Sequence, residues 1–194
     1  MARSVTVIGV PEPTGGAIAG LLGERAMMDT VVAGAGETRV APFLELAQAD
    51  WEAMVAGLRQ AFRAVQRSSA SLVEREAPGR MILVSSTAAV RPVHGATLAA
   101  TAGGFLTTLA QVAAVELGLK GVTFNVVAPG FVGDERFVEA TPVGRPASPE
   151  DVAEACAFLA SKGAASVTGA VLAVDGGFSI TKSAGGSPLL SQEG

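Results

Sequence analysis

The chain has 194 residues and a formal net charge of −4; 49% of the residues are hydrophobic and 16% are charged. This balance is typical of one well-buried globular domain and excludes an intrinsically disordered chain. The negative net charge offers no electrostatic basis for binding DNA or RNA, so we expect no nucleic-acid partner. The sequence contains one cysteine and one histidine, which argues against a disulfide and against a metal site built on these side chains.

The distribution of apolar residues bears on the location of the protein. No uninterrupted apolar run reaches the length of a membrane span, and the first residues enter a strand-like run without an apolar leader. We therefore predict a cytoplasmic protein without membrane association.

Short β-branched runs alternate with longer helical stretches along the chain. The predicted strands are Val5–Ile8, Thr30–Val32, Met81–Val84, Val122–Val127 and Val171–Val174. The predicted helices cover residues 14–22, about 50–76 and about 98–117, and a fourth begins at Ser148. Ser148 is a good cap, and Pro149 suits the first helical position. Strands alternating with helices predict a parallel sheet covered on both faces.

Apolar residues at helical spacing predict the packed faces of the helices. They are Trp51, Met54, Val55, Leu58, Phe62 and Val65 on the first long helix, and Phe105, Leu109, Val112 and Leu117 on the second. Cys156 has Ala and Phe neighbours in the fourth helix and is predicted to be a packing residue. We predict one domain over residues 1–181 and a flexible Gly/Ser-rich tail over 182–194.

Four segments in the second half of the chain resemble, in the correct order, motifs of the short-chain dehydrogenase/reductase superfamily. They are Arg80–Ser86, Gly121–Val132, Gly144–Glu154 and Thr168–Gly177, the last with its Asp-Gly-Gly end. The resemblance implies a Rossmann-like, doubly wound parallel α/β fold.

The N-terminal half resembles the same family, but with a gap. Asp29–Gly36 is similar to the family's fourth strand, yet only a few residues separate it from the first helix. In the family, strand two, a helix, strand three and another helix lie between these elements. The resemblance therefore implies a sheet of about five strands in the family order 1-4-5-6-7, with strand one at an edge.

The phosphate-binding loop of the family, Gly-x-x-x-Gly-x-Gly, has a degenerate counterpart here. Gly9 and Gly15 align with its first and last glycines, and Pro13 takes the middle position. Proline has no N–H and cannot adopt positive φ, and Glu12 adds a negative charge beside it. The missing strands would have held the adenosine. We therefore expect no cofactor, and NAD(P) only if the chain keeps the family's chemistry. Otherwise the glycines simply let the helix pack closely.

The resemblance also implies a catalytic Ser, Tyr, Lys and Asn. Ser86 aligns with the serine, whereas Ala99, Gly103 and Gly57 occupy the tyrosine, lysine and asparagine positions. Proton transfer needs a titratable group within hydrogen-bond reach of the reacting oxygen, and the chain contains no tyrosine. Ser86 is then a remnant, and a serine at a strand end also commonly satisfies backbone groups.

Other polar residues offer weaker candidates for chemistry. His94 lies in the loop between Ser86 and Ala99 and is a conceivable substitute base, although a lone loop histidine is usually solvated. Asp134 and Arg136 stand where the family's substrate loop begins, and we interpret this segment as a solvated loop.

These observations favour a non-catalytic subunit that assembles with an active short-chain dehydrogenase/reductase, or with itself. The resemblance implies contacts through the helices near 50–76 and 98–117 and through the final strand 171–174. One alternative is an NAD(P)-dependent oxidoreductase with non-standard catalytic residues. Another is a binding module for small acyl or ketone ligands that uses a pocket near Ser86 and Phe131. Whether the chain is an enzyme stays open at this point.

Overall fold

The computed structural model describes residues 4–26 and 28–181. The strands are β1 (Val5–Ile8), β2 (Asp29–Gly34), β3 (Gly79–Val84), β4 (Val122–Pro129) and β5 (Val171–Val174), and the helices are α1 (Thr14–Arg25), α2 (Gln48–Glu74), α3 (Thr97–Leu117) and α4 (Pro149–Ala160). Each predicted element is present, with ends shifted by a few residues. The predicted tail over 182–194 lies outside the described residues.

The five strands form one parallel sheet in the order β1-β2-β3-β4-β5. The central strand β3 is buried along its whole length, whereas β5 at one edge is largely exposed. Since β1 forms the other edge, the predicted shortened Rossmann-like sheet is confirmed.

Two apolar layers cover the sheet. On one face, α2 and α3 pack through Met54, Leu58 and Leu106 against Met81 and Leu83 of the central strand. On the other face, α1 and α4 pack against the alternate residues of the same strands. Successive side chains of a strand point to opposite faces of the sheet. A continuous apolar run therefore contributes side chains to the cores on both faces.

The connections between strands have mixed handedness. The strands advance in one direction across the sheet, but α1 and α4 lie on one face while α2 and α3 lie on the other. Crossovers that advance in the same direction on opposite faces have opposite hands. Because about 98% of parallel crossovers are right-handed, one pair has the rare hand. The missing unit beyond β1 that the resemblance implies would account for α1. A crossover that runs outward from β1 on that face has the same hand as those through α2 and α3.

The predicted apolar face of α3 is correct only in part. Leu109 and Leu117 are partly buried and pack against the core, whereas Phe105 and Val112 are 43% and 51% exposed. The buried face consists mainly of small residues with two leucines: Leu98, Ala102, Gly103, Leu106, Ala110 and Ala114. Small side chains let the helix backbone lie close to the sheet, so the bulkier residues are left on the outer side. Among the described residues, only the helical stretch Thr97–Lys120 has the length and hydropathy of a membrane span, and one third of its most apolar window is buried within the fold.

The prediction for α2 is correct for its inner face and wrong for two aromatic residues. Met54, Leu58 and Val65 are buried, whereas Trp51 is 48% and Phe62 is 36% exposed. The helix ends at Glu74 because Glu76 takes a left-handed conformation with φ 51°. The Ala77 N–H then donates to the Leu72 carbonyl at 2.9 Å, closing a Schellman motif two residues before the predicted stop.

The predicted start of α4 is confirmed as a capping box. The Ser148 hydroxyl accepts a hydrogen bond from the Asp151 N–H at 3.2 Å, and the Asp151 carboxylate accepts one from the Ser148 N–H at 2.8 Å. Arg145 also donates to this carboxylate from both terminal nitrogens of its guanidinium group. These hydrogen bonds lower the pKa of Asp151 from 3.8 to about 2, the Arg145 contact contributing most.

Candidate functional site

A crevice opens at the carboxyl ends of the strands, where the chain leaves β1 toward one face and β2 toward the other. Ligands of open α/β sheets bind in such crevices. Here the cavity has a volume of about 520 Å³. We call the part lined by Gly9, Glu12, Pro13 and Gly36 the cofactor end, and the part lined by Ser86, Ala99, Pro129 and Phe131 the substrate end.

The cofactor end is built on a close approach of two backbones. Gly9 has φ +61°, and a Cβ at this residue would lie 2.3 Å from the Gly34 carbonyl oxygen. The Gly36 N–H donates to the Gly9 carbonyl at 2.7 Å. Gly9 is therefore required by the contact between β1 and β2, whatever else binds there.

At the start of α1, the chain's own groups occupy the helix N-terminus. The Glu12 carboxylate accepts a hydrogen bond from the Gly16 N–H at 3.0 Å, and the Gly15 N–H donates to the Pro11 carbonyl at 3.0 Å. Pro13 contributes no N–H. The N–H groups of Gly15 and Gly16 are thus occupied, and Pro13 has none to offer a phosphate.

Ser86 lies at the floor of the substrate end, directly after β3. Its hydroxyl oxygen accepts a hydrogen bond from the Ala88 N–H at 3.2 Å and thereby caps a short 3₁₀ turn. This is the backbone role that serines at strand ends commonly have. Because the oxygen acts as the acceptor, the hydroxyl proton is available for an oxygen atom in the cleft.

The positions corresponding to tyrosine and lysine lie beside Ser86 on α3. Ala99 is half-buried and lines the cleft, which leaves space for a larger side chain. Gly103 also lines the cleft, but a Cβ there would lie 2.8 Å from the Ser85 hydroxyl oxygen, and Ser85 donates to the Gly103 carbonyl at 3.1 Å. A lysine at this position would therefore displace Ser85.

Gly57, the residue at the asparagine position, does not line the cleft. A Cβ there would lie 1.8 Å from the Ala35 carbonyl oxygen. Gly57 consequently allows α2 to approach the end of β2, and no side chain can replace it without moving the helix. The structure therefore places only Ser86, Ala99 and Gly103 of the four positions around one cavity.

An aromatic cluster holds the wall of the substrate end. The rings of Phe131 and Phe137 stack with centroids 3.6 Å apart, and Phe178 meets both rings edge-on at 5.4 and 5.7 Å. The Arg91 guanidinium lies 4.1 Å from the Phe178 ring centroid and donates to the Phe178 carbonyl. Phe137 and Phe178, which the sequence analysis did not single out, fix the loop after β4 against the last turn of the fold.

A carboxylate and a guanidinium form an ion pair beside the cleft, in the segment that was interpreted as a solvated loop. Arg136 donates to both carboxylate oxygens of Asp134, at 2.9 and 2.7 Å. This contact lowers the pKa of Asp134 and raises the pKa of Arg136. Asp134 is therefore ionised near neutral pH and cannot act as a proton donor.

Two further residues considered from the sequence lie outside the cleft. His94 is an exposed loop residue and does not line the cavity. Cys156 is fully buried, as predicted, and burial raises the pKa of its thiol to about 12, so it is an inert packing residue. Within residues 4–26 and 28–181, no group of three or more His, Cys, Asp or Glu side chains could hold a metal ion.

Comparison with known proteins identifies the family. A sequence model of the family described as Enoyl-(Acyl carrier protein) reductase matches residues 16–179. The chain belongs to the short-chain dehydrogenase/reductase superfamily. The five-stranded parallel sheet and the cleft at its carboxyl edge are the expected framework for such a protein.

Curated relatives are about a third identical to this chain over the aligned residues. The (3R)-3-hydroxyacyl-CoA dehydrogenase of Rattus norvegicus is 33% identical over 76% of this chain and 61% of the relative. A 3-oxoacyl-(acyl-carrier-protein) reductase of Chlamydia trachomatis is 29% identical over 80% and 67%, and Nodulation protein G of Azospirillum brasilense is 32% identical over 77% and 65%. The chain thus spans about two thirds of the length of these relatives.

Solved structures agree with this assignment. Acetoin dehydrogenase from Enterobacter cloacae matches with a TM-score of 0.74 and 28% identity, covering 90% of this chain and 73% of that protein. A protein from Agrobacterium tumefaciens, proposed to be a 2-deoxy-d-gluconate 3-dehydrogenase and solved with bound NADP, matches with a TM-score of 0.74 and 25% identity over 87% of this chain and 74% of that protein.

These comparisons correct the function predicted from the sequence. The hypothesis of a non-catalytic assembly subunit is wrong, because the relatives with a named activity are reductases and dehydrogenases. The alternative, an oxidoreductase with non-standard catalytic residues, fits them better. The expectation of no cofactor is likewise unsupported, because a structural neighbour carries NADP and the family is NAD(P)-dependent. That hypothesis had rested on Ala99 and Gly103, which stand at the family's tyrosine and lysine positions.

Proposed function

We propose that this chain is an NAD(P)-dependent oxidoreductase that interconverts 3-oxoacyl and 3-hydroxyacyl thioesters. The observation that carries the proposal is the cleft itself, which brings the Ser86 hydroxyl together with apolar walls from Leu106, Phe131 and Val132. A hydroxyl at the floor of an apolar cavity suits a carbonyl group on an acyl chain. The substrate class is supported by the acyl reductase and hydroxyacyl dehydrogenase among the relatives.

The cleft fits a nicotinamide cofactor at one end only. Pro129 and Gly130 line the substrate end with backbone and small side chains, which leaves space for a flat ring beside Ser86. At the start of α1, by contrast, the Glu12 carboxylate bonded to the Gly16 N–H stands where a pyrophosphate would lie. When bound, the nicotinamide ring would supply or accept the hydride.

Ser86 is the residue that would hold the substrate. With its oxygen accepting from the Ala88 N–H, its proton is free to donate to the substrate's carbonyl oxygen. A donor aimed at an oxygen that gains negative charge stabilises the transition state more than the ground state. In this role Ser86 orients and polarises the carbonyl group without changing its own protonation state.

The proton that balances the reduction would come from water. Ala99 carries no acid, and the carboxyl group of Asp134 is held ionised by Arg136. A positioned side-chain acid contributes roughly 10²- to 10⁴-fold to the rate of such reactions. We therefore expect turnover to be slower by about this factor than in an enzyme with a tyrosine acid.

Reduction of acetoacetyl-CoA by NADPH, followed by the loss of NADPH absorbance, tests the proposal. We expect slow but saturable turnover by the wild type and a loss of at least about tenfold in kcat/KM for Ser86→Ala. Ser161→Ala is the matched control, because Ser161 also caps a 3₁₀ turn, accepting from the Gly163 N–H at 3.1 Å, but lies away from the cleft. Equal rates for the two serine variants, or no turnover by the wild type, would overturn the proposal.

We also propose that two copies of the chain assemble through the outer sides of α2 and α3. Phe62, Phe105 and Val112 expose apolar surface there, beside a groove between the two helices. Exposed apolar surface of this kind commonly marks an interface. Light scattering of the wild type and of Phe105→Glu tests this: a dimer that becomes a monomer supports it, and a monomeric wild type contradicts it.

A further inference from the structure

One residue at the cofactor end has a role that the family resemblance does not assign. We propose that the Glu12 carboxylate takes the place of the cofactor's pyrophosphate in the resting chain, so that NAD(P) binds only when Glu12 moves away. This inference rests on the proposed function, because it concerns the cofactor of the same cleft.

The geometry of the carboxylate is the first argument. Glu12 Oε2 lies 3.0 Å from the Gly16 nitrogen, within the first turn of α1, where an anion is stabilised by free N–H groups and by the helix dipole. The other carboxylate oxygen, Oε1, lies 3.2 Å from the position that a Cβ on Gly15 would take. The carboxylate therefore lies over both glycines at the start of the helix.

The remaining donors of the helix start form the second argument. The Gly15 N–H is bonded to the Pro11 carbonyl, the Ala17 N–H to the Pro13 carbonyl, and Pro13 has no N–H. Gly16 is thus the one residue among these four whose N–H is held by a side chain, and a side chain can rotate away. Displacing Glu12 would free this donor, whereas the backbone bonds would persist.

Charge provides the third argument. A pyrophosphate bound at this helix start would lie within a few ångströms of the exposed Glu12 carboxylate, and like charges at this distance repel even in solvent. The remaining cavity of about 520 Å³ lies open beside it, so access is not otherwise blocked at this end. Removing this one charge should strengthen anion binding without reshaping the cleft.

Binding of NADPH and of inorganic pyrophosphate to the wild type and to Glu12→Gln, measured by calorimetry, tests the inference. Glutamine keeps an oxygen that can accept from the Gly16 N–H but removes the charge. We expect Glu12→Gln to bind both probes at least about tenfold more tightly than the wild type. Glu24→Gln is the control, because it makes the same charge change on an exposed side chain near the other end of α1.

The two probes separate failure of this inference from failure of the proposed function. If the wild type and Glu12→Gln bind pyrophosphate equally well, or if neither binds it, the inference is overturned. If Glu12→Gln binds pyrophosphate more tightly but no variant binds NADPH, the inference stands and the proposed function fails.

A measurement on the wild type covers the case in which Glu12→Gln does not fold. The Gly16 amide resonance should shift on titration with NADPH as the carboxylate leaves it. A Gly16 resonance that stays in place while other cleft residues shift would overturn the inference.

Discussion

The substrate end and the cofactor end of the cleft differ in what holds them. The loop at the substrate end is anchored by three packed phenylalanine rings, of which Phe137 is 1% exposed. At the cofactor end, the start of α1 is closed by the exposed Glu12 carboxylate on one N–H group. The comparison teaches that the wall of the substrate end is fixed by buried packing, whereas the start of α1 at the cofactor end is closed by a single exposed side chain.

The largest expected effect concerns stability. Phe137→Ala removes a buried ring from the aromatic cluster and should lower the free energy of unfolding by about 3–5 kcal/mol, as measured by urea denaturation. Glu12→Ala, which removes one hydrogen bond at the helix start, should cost about 1 kcal/mol. Phe43→Ala is the control for loss of a ring, since Phe43 is 71% exposed and should change stability by less than about 0.5 kcal/mol. Similar losses in the free energy of unfolding for Phe137→Ala and Glu12→Ala would contradict the stated difference between the two ends of the cleft.

The second prediction concerns proton transfer at the substrate end. Ala99→Tyr places a phenol in the space beside Ser86 and should raise kcat for acetoacetyl-CoA reduction by about tenfold. The gain should stay below the usual range of general-acid effects, because Gly103 contributes no cation to lower the pKa of the new phenol. Ala99→Phe adds the same ring without the hydroxyl. If both variants gain equally, the ring and not the proton is responsible.

The smallest expected effect is the pH dependence of the stability contributed by Asp151 at the start of α4. The pKa of Asp151 is lowered from 3.8 to about 2 in the folded chain, chiefly by Arg145. A depressed folded pKa contributes stability above the unfolded pKa, and this contribution is lost as the pH falls from 3.8 toward about 2. Because the Asp151 side chain is 34% exposed, screening reduces the contribution to about 1 kcal/mol.

Urea denaturation of the wild type and Asp151→Asn at about pH 6 and about pH 2.5 measures this contribution. The stability difference should shrink in acid. Glu150→Gln is the control, since it removes a charge at the same helix end and leaves the capping box intact. A difference that is independent of pH would mean that Asp151 acts through the hydrogen bonds of the cap alone.

Much of the fold could be predicted from the sequence because its signals are local. Each strand is a short β-branched run, and the Ser148–Asp151 capping box is encoded within four residues. The buried face of α3 could not be predicted in this way. Its bulky residues suggested the inner side, but the close approach of the helix to the sheet selects Ala102, Ala110 and Ala114 instead.

Some features of the candidate site could likewise be predicted from the sequence, and others could not. Alignment with the family located Ser86, Ala99 and Gly103, and the structure brings these three together beside one cavity. It could not show that Gly57 is needed for the contact with Ala35, because that contact joins residues far apart in the chain. The prediction of a non-catalytic subunit was corrected only by comparison with relatives whose reactions are named.

The sequence by itself determined the alternation of strands and helices and the absence of tyrosine, and its resemblance to the family implied the missing two-strand unit and the loss of the catalytic lysine. These properties depend on residue type and order alone. Only the tertiary structure decided that Glu12 lies on the Gly16 N–H, that Ser85 takes the space beside Gly103, and that three distant phenylalanines form one cluster. The physical reason is that hydrogen-bond geometry and packing depend on distances that the folded chain creates.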